Sequence, residues 1–308
     1  MSFLGLDEDL KVSSRLDIYP TIDPKVHYDA QTFSGKVVLI TGASRGIGAE
    51  IALQYARAGA KLSLVARTQA ALDAIRDAIL RERPTAQILT FPADVRDVTK
   101  AGEIVASTVA RFGRLDILVS NAAILRRMDL PFASKDPKGW WDVVEVNIRG
   151  TYNYIHFAVP ELLKRKANWS FLHQRQLKYE FQQQASTAYR NSPLIVSQSL
   201  SPLVNLVLYR FRMSAHYPFA EYPDIKVFAV HPGGVKTDMY ADTGADFDFE
   251  TNTVGLSAAT ILYLTSGNAD YLNGRYVSST WDLGEVERDW KEKILAQNGL
   301  VSKLSIPV

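Results

Sequence analysis

From Lys36 onward, short β-branched apolar runs alternate with helical stretches, and this alternation constrains the fold more than any other feature of the chain. "KVVLI" (Lys36–Ile40) is nearly continuous in apolar residues, as a strand buried on both faces must be. "GAEIALQYARAGA" follows, where Ile51, Leu53, Tyr55 and Ala56 share a broad apolar stripe and Gly59 ends the helix. "KLSLVA" is a second strand. "TQAALDAIRDAILRER" is a second helix, with Thr68 as its expected N-cap and Pro84 as its stop. "QILTFPA", "VTKAGEIVASTVARFG" and "LDILVS" continue the series as strand, helix and strand. Further on, "WWDVVEVNIRGTYNYIHFAVPELLKRK" reads as a long helical region with an expected break at Pro160. "IKVFAVHP" is another buried strand leading to a Gly-Gly turn, "VGLSAATILYLTS" a helix and "GRYVSSTW" a last strand. Strands separated by helices of roughly 10–15 residues form βαβ units. The expectation is an α/β fold: a three-layer, doubly wound, mostly parallel sheet of about seven strands.

Length and composition bound what surrounds that sheet. With 308 residues, one large domain over 33–290 is expected, preceded by an arm (1–32) and followed by a tail (291–308). A net charge of +2 is too small to imply nucleic acid or an anionic membrane as partner. Cysteine is absent, which excludes disulfides, thiolate chemistry and cysteine-ligated metal; no metal site is expected. It also fits a cytoplasmic protein. The first 30 residues hold no apolar run suited to a signal peptide, and no window reaches the roughly 18 apolar residues of a membrane span.

Between the first strand and the first helix stands "TGASRGIG" (Thr41–Gly48). Gly42, Gly46 and Gly48 supply a tight turn, a bare backbone for close phosphate approach and close helix–sheet packing. The helix N-terminus adds unpaired N–H groups for a pyrophosphate. In this order of strand, turn and helix the segment is read as a nucleotide site, with Ser44, Arg45 and Ile47 as its other members.

These residues, with others along the chain, resemble those of the short-chain dehydrogenase/reductases. Asp94 and Val95 look like that family's contact to the adenine. "SNAA" (Ser120–Ala123) looks like its "NNAG" segment, placing Asn121 and Ala122 along the cofactor. Asn147 in "VNIRG" looks like its structural and catalytic Asn. Pro232, Gly233 and Thr237 in "HPGGVKTDM" match the loop at the nicotinamide end. The tail "YLNGRYVSSTWDLGEVE" resembles fungal members. The resemblance implies a Rossmann fold, an oxidoreductase interconverting an alcohol and a carbonyl on a small organic molecule, and a possible homo-oligomer.

NADP(H) is expected over NAD(H). NAD is usually recognised by an acidic residue after the second strand, bonding the ribose hydroxyls. Here Ala66 and Arg67 occupy that stretch and Arg45 lies inside the glycine turn. Two guanidiniums could receive a 2′-phosphate; Arg67 as a plain solvent-facing residue is the alternative.

The proton-transfer half of such an enzyme is not legible. The family resemblance calls for a Tyr with a Lys four residues on, the cation favouring the phenolate, and a Ser giving the substrate oxygen a donor. Tyr179, Tyr189, Tyr209 and Tyr217 are followed at four by Gln183, Pro193, Met213 and Glu221, none of them a cation; the Tyr222 and Lys226 of "YPDIK" have the spacing but run into the strand "IKVFAVHP". "SPLVN" (Ser201–Asn205) stands near the expected place. Ser199, or Ser197, is the candidate for the substrate serine, against the plainer reading of a turn serine.

The anomaly is wider than two residues. The 82 positions from Thr151 to Pro232 hold no glycine, although the chain has 18. Leu162–Ala220 carries eight Lys and Arg against the single acid Glu180. Resemblance stops near Lys164–Lys166 and returns at "AEYPDIKVFAVHPGG". A basic docking insert, a divergent lid, or a frame-shifted exon or retained intron in the gene model would each account for segment 165–220. "PLIV" and "LVNLVLYRF" are its candidate strand and helix. A catalytically silent nucleotide-binding protein is therefore the alternative to the oxidoreductase.

Overall fold

In the computed structural model, which describes residues 10–126, 132–164, 194–198, 222, 224–241 and 251–301, seven parallel strands form one sheet. They are β1 (Val37–Thr41), β2 (Lys61–Ala66), β3 (Ile88–Pro92), β4 (Ile117–Ser120), β5 (Leu194–Gln198), β6 (Lys226–His231) and β7 (Arg275–Ser278). Their order is β3-β2-β1-β4-β5-β6-β7. The chain builds outward from β1 in one direction and then, from β4, in the other. A crevice must open where the winding reverses, beyond the C-terminal ends of β1 and β4. Register fixes what meets there: Thr41 lies beside Val65 of β2 and Ser120 of β4.

Continuous apolar strands are buried on both faces, as their composition requires. Val38 and Ile40 of β1 face one core, with α2 (Gly46–Arg57), α3 (Gln69–Glu82) and the Val254–Thr265 helix. Val37 and Leu39 face the other, with α4 (Val98–Phe112) and α6 (Thr151–Leu163). "PLIV" supplies β5, which pairs in parallel with β4 and β6; "LVNLVLYRF" lies outside the described residues. Segment 10–32, read as an arm, contributes Tyr19 and Ile22 to the first core. Ser14 forms an antiparallel bridge with Trp281.

One local expectation needs correction. The break at Pro160 does not occur: α6 runs through it, because Ala158, Val159 and Leu162 around it are buried against the second core, which offsets the lost backbone bond. Thr68 is the N-cap residue of α3, as expected, without a side-chain cap bond; among the described residues Asp97, Asp136, Thr253 and Asp282 cap helices with their side chains, Asp136 capping α5 (Pro137–Val144). Between α5 and α6 the helix widens into a π turn, Glu145–Gly150, a distortion that the apolar pattern did not reveal and that recurs at functional sites.

Candidate nucleotide site

The turn after β1 is shaped by what it cannot accommodate. Gly42 has φ +67, and a Cβ there would lie 2.8 Å from Ala122 Cα. A Cβ on Gly48 would overlap Gly42 O and Asn121 Nδ2. The turn is stitched to the β4 loop by Asn121, whose Nδ2 donates to the carbonyls of Thr41 and Gly42, 3.1 Å each. Thr41 Oγ1 in turn accepts from the N–H groups of Asn121 and Ala122. These bonds hold two loops edge to edge with bare backbone between them. Arg45, extended at the N-cap of α2, makes no side-chain cap bond. The first-turn N–H groups and the positive end of the helix dipole are thus left to whatever occupies the crevice.

The crevice is a cleft of about 440 Å³. Of the cofactor residues read from the sequence, all line it except Pro232 and Gly233. Those two stand behind it: Pro232 O accepts from Asn252 Nδ2 and Ser257 Oγ, 2.8 Å each. Asn147 is also outside the lining; its side chain bonds the backbone of Ile124, which does line the cleft. Ser199 lies outside the described residues. Ser120, at the end of β4, keeps a buried Oγ without a hydrogen-bond partner among the described residues.

Charge in the cleft is largely paired in ways the sequence did not show. Asp94, read as an adenine contact, receives Arg96 in a forked pair, Nη2 to Oδ2 at 2.7 Å and Nε to Oδ1 at 3.1 Å. The hydrogen bond from Arg96 holds the Asp94 carboxyl below the ordinary carboxylate range, against the opposing effect of burial. Arg96 also lies 3.8 Å from Asp142 and 3.9 Å from Glu145. Arg126 bonds Asp142 at 3.1 Å. Arg45 reaches Asp238 at 2.7 Å. Arg67 is exposed and makes no ion pair among the described residues. Sequence reading missed Arg96, Asp142, Lys236 and Asp238 as lining residues. Arg96 had a local signal, two positions after Asp94; Asp238 had none.

Comparison with known proteins settles the family. The short chain dehydrogenase pigC of Monascus ruber is 32% identical over 288 residues, covering 91% of this chain and 89% of its own length. The chain belongs to the short-chain dehydrogenase family. A second member, mpl6 of Monascus purpureus, is 32% identical over 94% of each chain. The family model described as short chain dehydrogenase matches residues 36–168. Among solved structures, levodione reductase superposes with a TM-score of 0.67 over 84% of this chain and all of its own, at 24% identity. A short chain dehydrogenase from Shigella flexneri complexed with NADP gives 0.66 over 81% and 98%, at 20% identity. At those identities the likeness speaks to the α/β Rossmann-type fold of the family. No helix among the described residues of this short-chain dehydrogenase is long and apolar enough to cross a membrane.

Proposed function

We propose that this short-chain dehydrogenase is an NADP(H)-dependent oxidoreductase that interconverts an alcohol and a carbonyl on a small organic molecule. One observation carries the reading: the N-terminus of α2, Arg45 and Arg67 converge on one cleft at the sheet's switch point, with no carboxylate at the end of β2. A ribose 2′-hydroxyl is best met by an acid there, whereas a 2′-phosphate is best met by guanidiniums. The residues fit a dinucleotide: Gly42 and Gly48 let the turn close against Asn121 and Ala122, and Gly46, Ile47 and Gly48 of the first turn of α2 line the cleft.

In this reading the first turn of α2 holds the pyrophosphate and Arg45 and Arg67 receive the 2′-phosphate. Asp94 and Val95 border the adenine. Asn121 and Ala122 line the path toward Thr237. The nicotinamide, when bound, supplies the hydride donor or acceptor. Asn147 holds the loop Ala122–Leu125 along that path. A cytoplasmic location and assembly with further copies of the chain belong to the same proposal, on composition and family likeness.

Titrating NADPH and NADH by nucleotide fluorescence tests the cofactor reading; tighter NADH binding would overturn it. The Tyr-x-x-x-Lys at Tyr222 and Lys226 does not line the cleft: Lys226 is buried at the start of β6 and bonds Asp270 at 2.6 Å, which favours a second reading, a nucleotide-binding protein with little or no turnover. Assaying the chain as written against a panel of carbonyls separates the two. Binding without turnover supports the silent protein, and measurable reduction removes it. Sequencing the transcript settles whether segment 165–220 is encoded as written.

A further inference from the structure

Arg45 is the residue of the glycine turn that can distinguish one dinucleotide from another, and it is already engaged. Its Nη1 donates to Asp238 Oδ2 at 2.7 Å, across 193 positions of sequence. Arg45 sits between β1 and α2, whereas Asp238 follows β6. The two segments touch: a Cβ on Gly46 would lie 3.3 Å from Thr237 Cγ2. Arg45 and Asp238 both line the cleft, so their ion pair spans its mouth. The side chains are 59% and 70% exposed, and an ion pair so open to water is held weakly.

The other acids of the cleft are differently committed. Asp94 is gripped by Arg96 and Asp142 by Arg126. Asp238 is therefore the carboxylate that sets the availability of Arg45.

We infer that Asp238 competes with the nucleotide's 2′-phosphate for the Arg45 guanidinium and thereby sets how strongly the site prefers a 2′-phosphorylated dinucleotide. The inference rests on the NADP(H) reading above. A guanidinium carries its five N–H donors in one rigid planar fork, and the bond from Nη1 holds that fork toward Asp238. An incoming 2′-phosphate must draw the fork away from Asp238 to be held by two parallel N–H bonds. Because the pair is exposed, the exchange costs little and reverses readily. The carboxylate acts as a bar that is lowered, at small cost, only to a stronger anion.

The test is a fluorescence titration of NADPH and of NADH against the full chain, Asp238→Asn, Arg45→Gln and the double variant, at low salt. Asp238→Asn should tighten NADPH about three- to fivefold and NADH less than about twofold. In the Arg45→Gln background the same substitution should leave the ratio between the two dinucleotides unchanged. Asp238→Ser serves as a second neutral variant, and circular dichroism checks folding of each. Unchanged or weakened NADPH binding in Asp238→Asn overturns the inference, as does an equal gain for both dinucleotides or a gain that survives in Arg45→Gln. A wild-type chain that prefers NADH overturns the cofactor reading and the inference together. A wild-type chain that prefers NADPH, with no coupling between Arg45 and Asp238, overturns the inference alone.

Discussion

The side chain of Asn147 closes a two-bond ring on the backbone of Ile124: its Oδ1 accepts the N–H at 2.9 Å and its Nδ2 donates to the carbonyl at 3.0 Å. The π turn that carries Asn147 is thus tied to the loop leaving β4, which lines the cleft. Asn147→Asp replaces the donor facing Ile124 O with a second acceptor, and Asn147→Ala leaves both backbone groups short of a partner. Each should cost about 1–3 kcal/mol and weaken NADPH binding together with stability. Thermal unfolding and nucleotide titration of the two variants check this; unchanged melting in both would refute the positioning role.

Gly48→Ala should be far more damaging to nucleotide binding than Gly113→Ala. The Gly48 site has no room, since a Cβ would overlap Gly42 O and Asn121 Nδ2, and backbone there cannot swing aside like a flexible side chain. Overpacking of this kind costs about 1–3 kcal/mol and pushes the glycine turn off the β4 loop. Gly113, with φ +77 and nothing within 4 Å, meets only the left-handed backbone cost of about 1–2 kcal/mol. Denaturant unfolding should show both variants destabilised, with NADPH affinity lost in Gly48→Ala alone.

Tyr19→Phe should cost about 1–3 kcal/mol although it removes one oxygen. Tyr19 Oη donates to Trp281 O at 3.0 Å and accepts from Leu283 N at 2.8 Å. Burial pushes the phenol's pKa up, so it stays protonated and keeps donating. Substitution takes the partner from the buried Leu283 N–H and a donor from the carbonyl of Trp281. Chemical denaturation measures the loss, and a variant as stable as wild type would show that water replaces the hydroxyl there.

The Asp94–Arg96 pair should give a pH-dependent stability difference. Arg96 holds the folded Asp94 carboxyl below its ordinary value, so the pair's contribution is full above about pH 4. It is lost as pH falls from there through the depressed folded value. At 36% and 40% side-chain exposure the contribution is about 1 kcal/mol or less. Arg96→Gln should therefore melt below wild type at pH 6, with the gap closing in more acidic buffer. A gap of constant size down to pH 2 would assign the loss to packing of the Arg96 stem.

Much of the architecture was written locally. Nearly unbroken apolar runs such as Val37–Thr41 state that both faces of a strand are covered, and the glycines of Thr41–Gly48 state where backbone must lie bare. The glycine turn, the helix after it and the number of strands follow from such features because each depends on neighbours a few positions apart. The catalytic serine expected at Ser199 falls outside the described residues, and no acid/base pair is written in the sequence around it.

What the sequence by itself determined is the βαβ alternation, the glycine turn and the lack of an acid at the end of β2. Tertiary structure decided which charges meet. Arg45 finds Asp238, Asn147 finds Ile124, and Tyr19 finds Trp281 because the turn after β1 lies beside the loop after β4, the loop after β6 reaches back to that turn, and the N-terminal segment packs on the residues after β7. Periodicity reports which face of an element is buried, but an ion pair or a backbone clasp depends on which elements become neighbours, and that is set by the packing of the whole sheet.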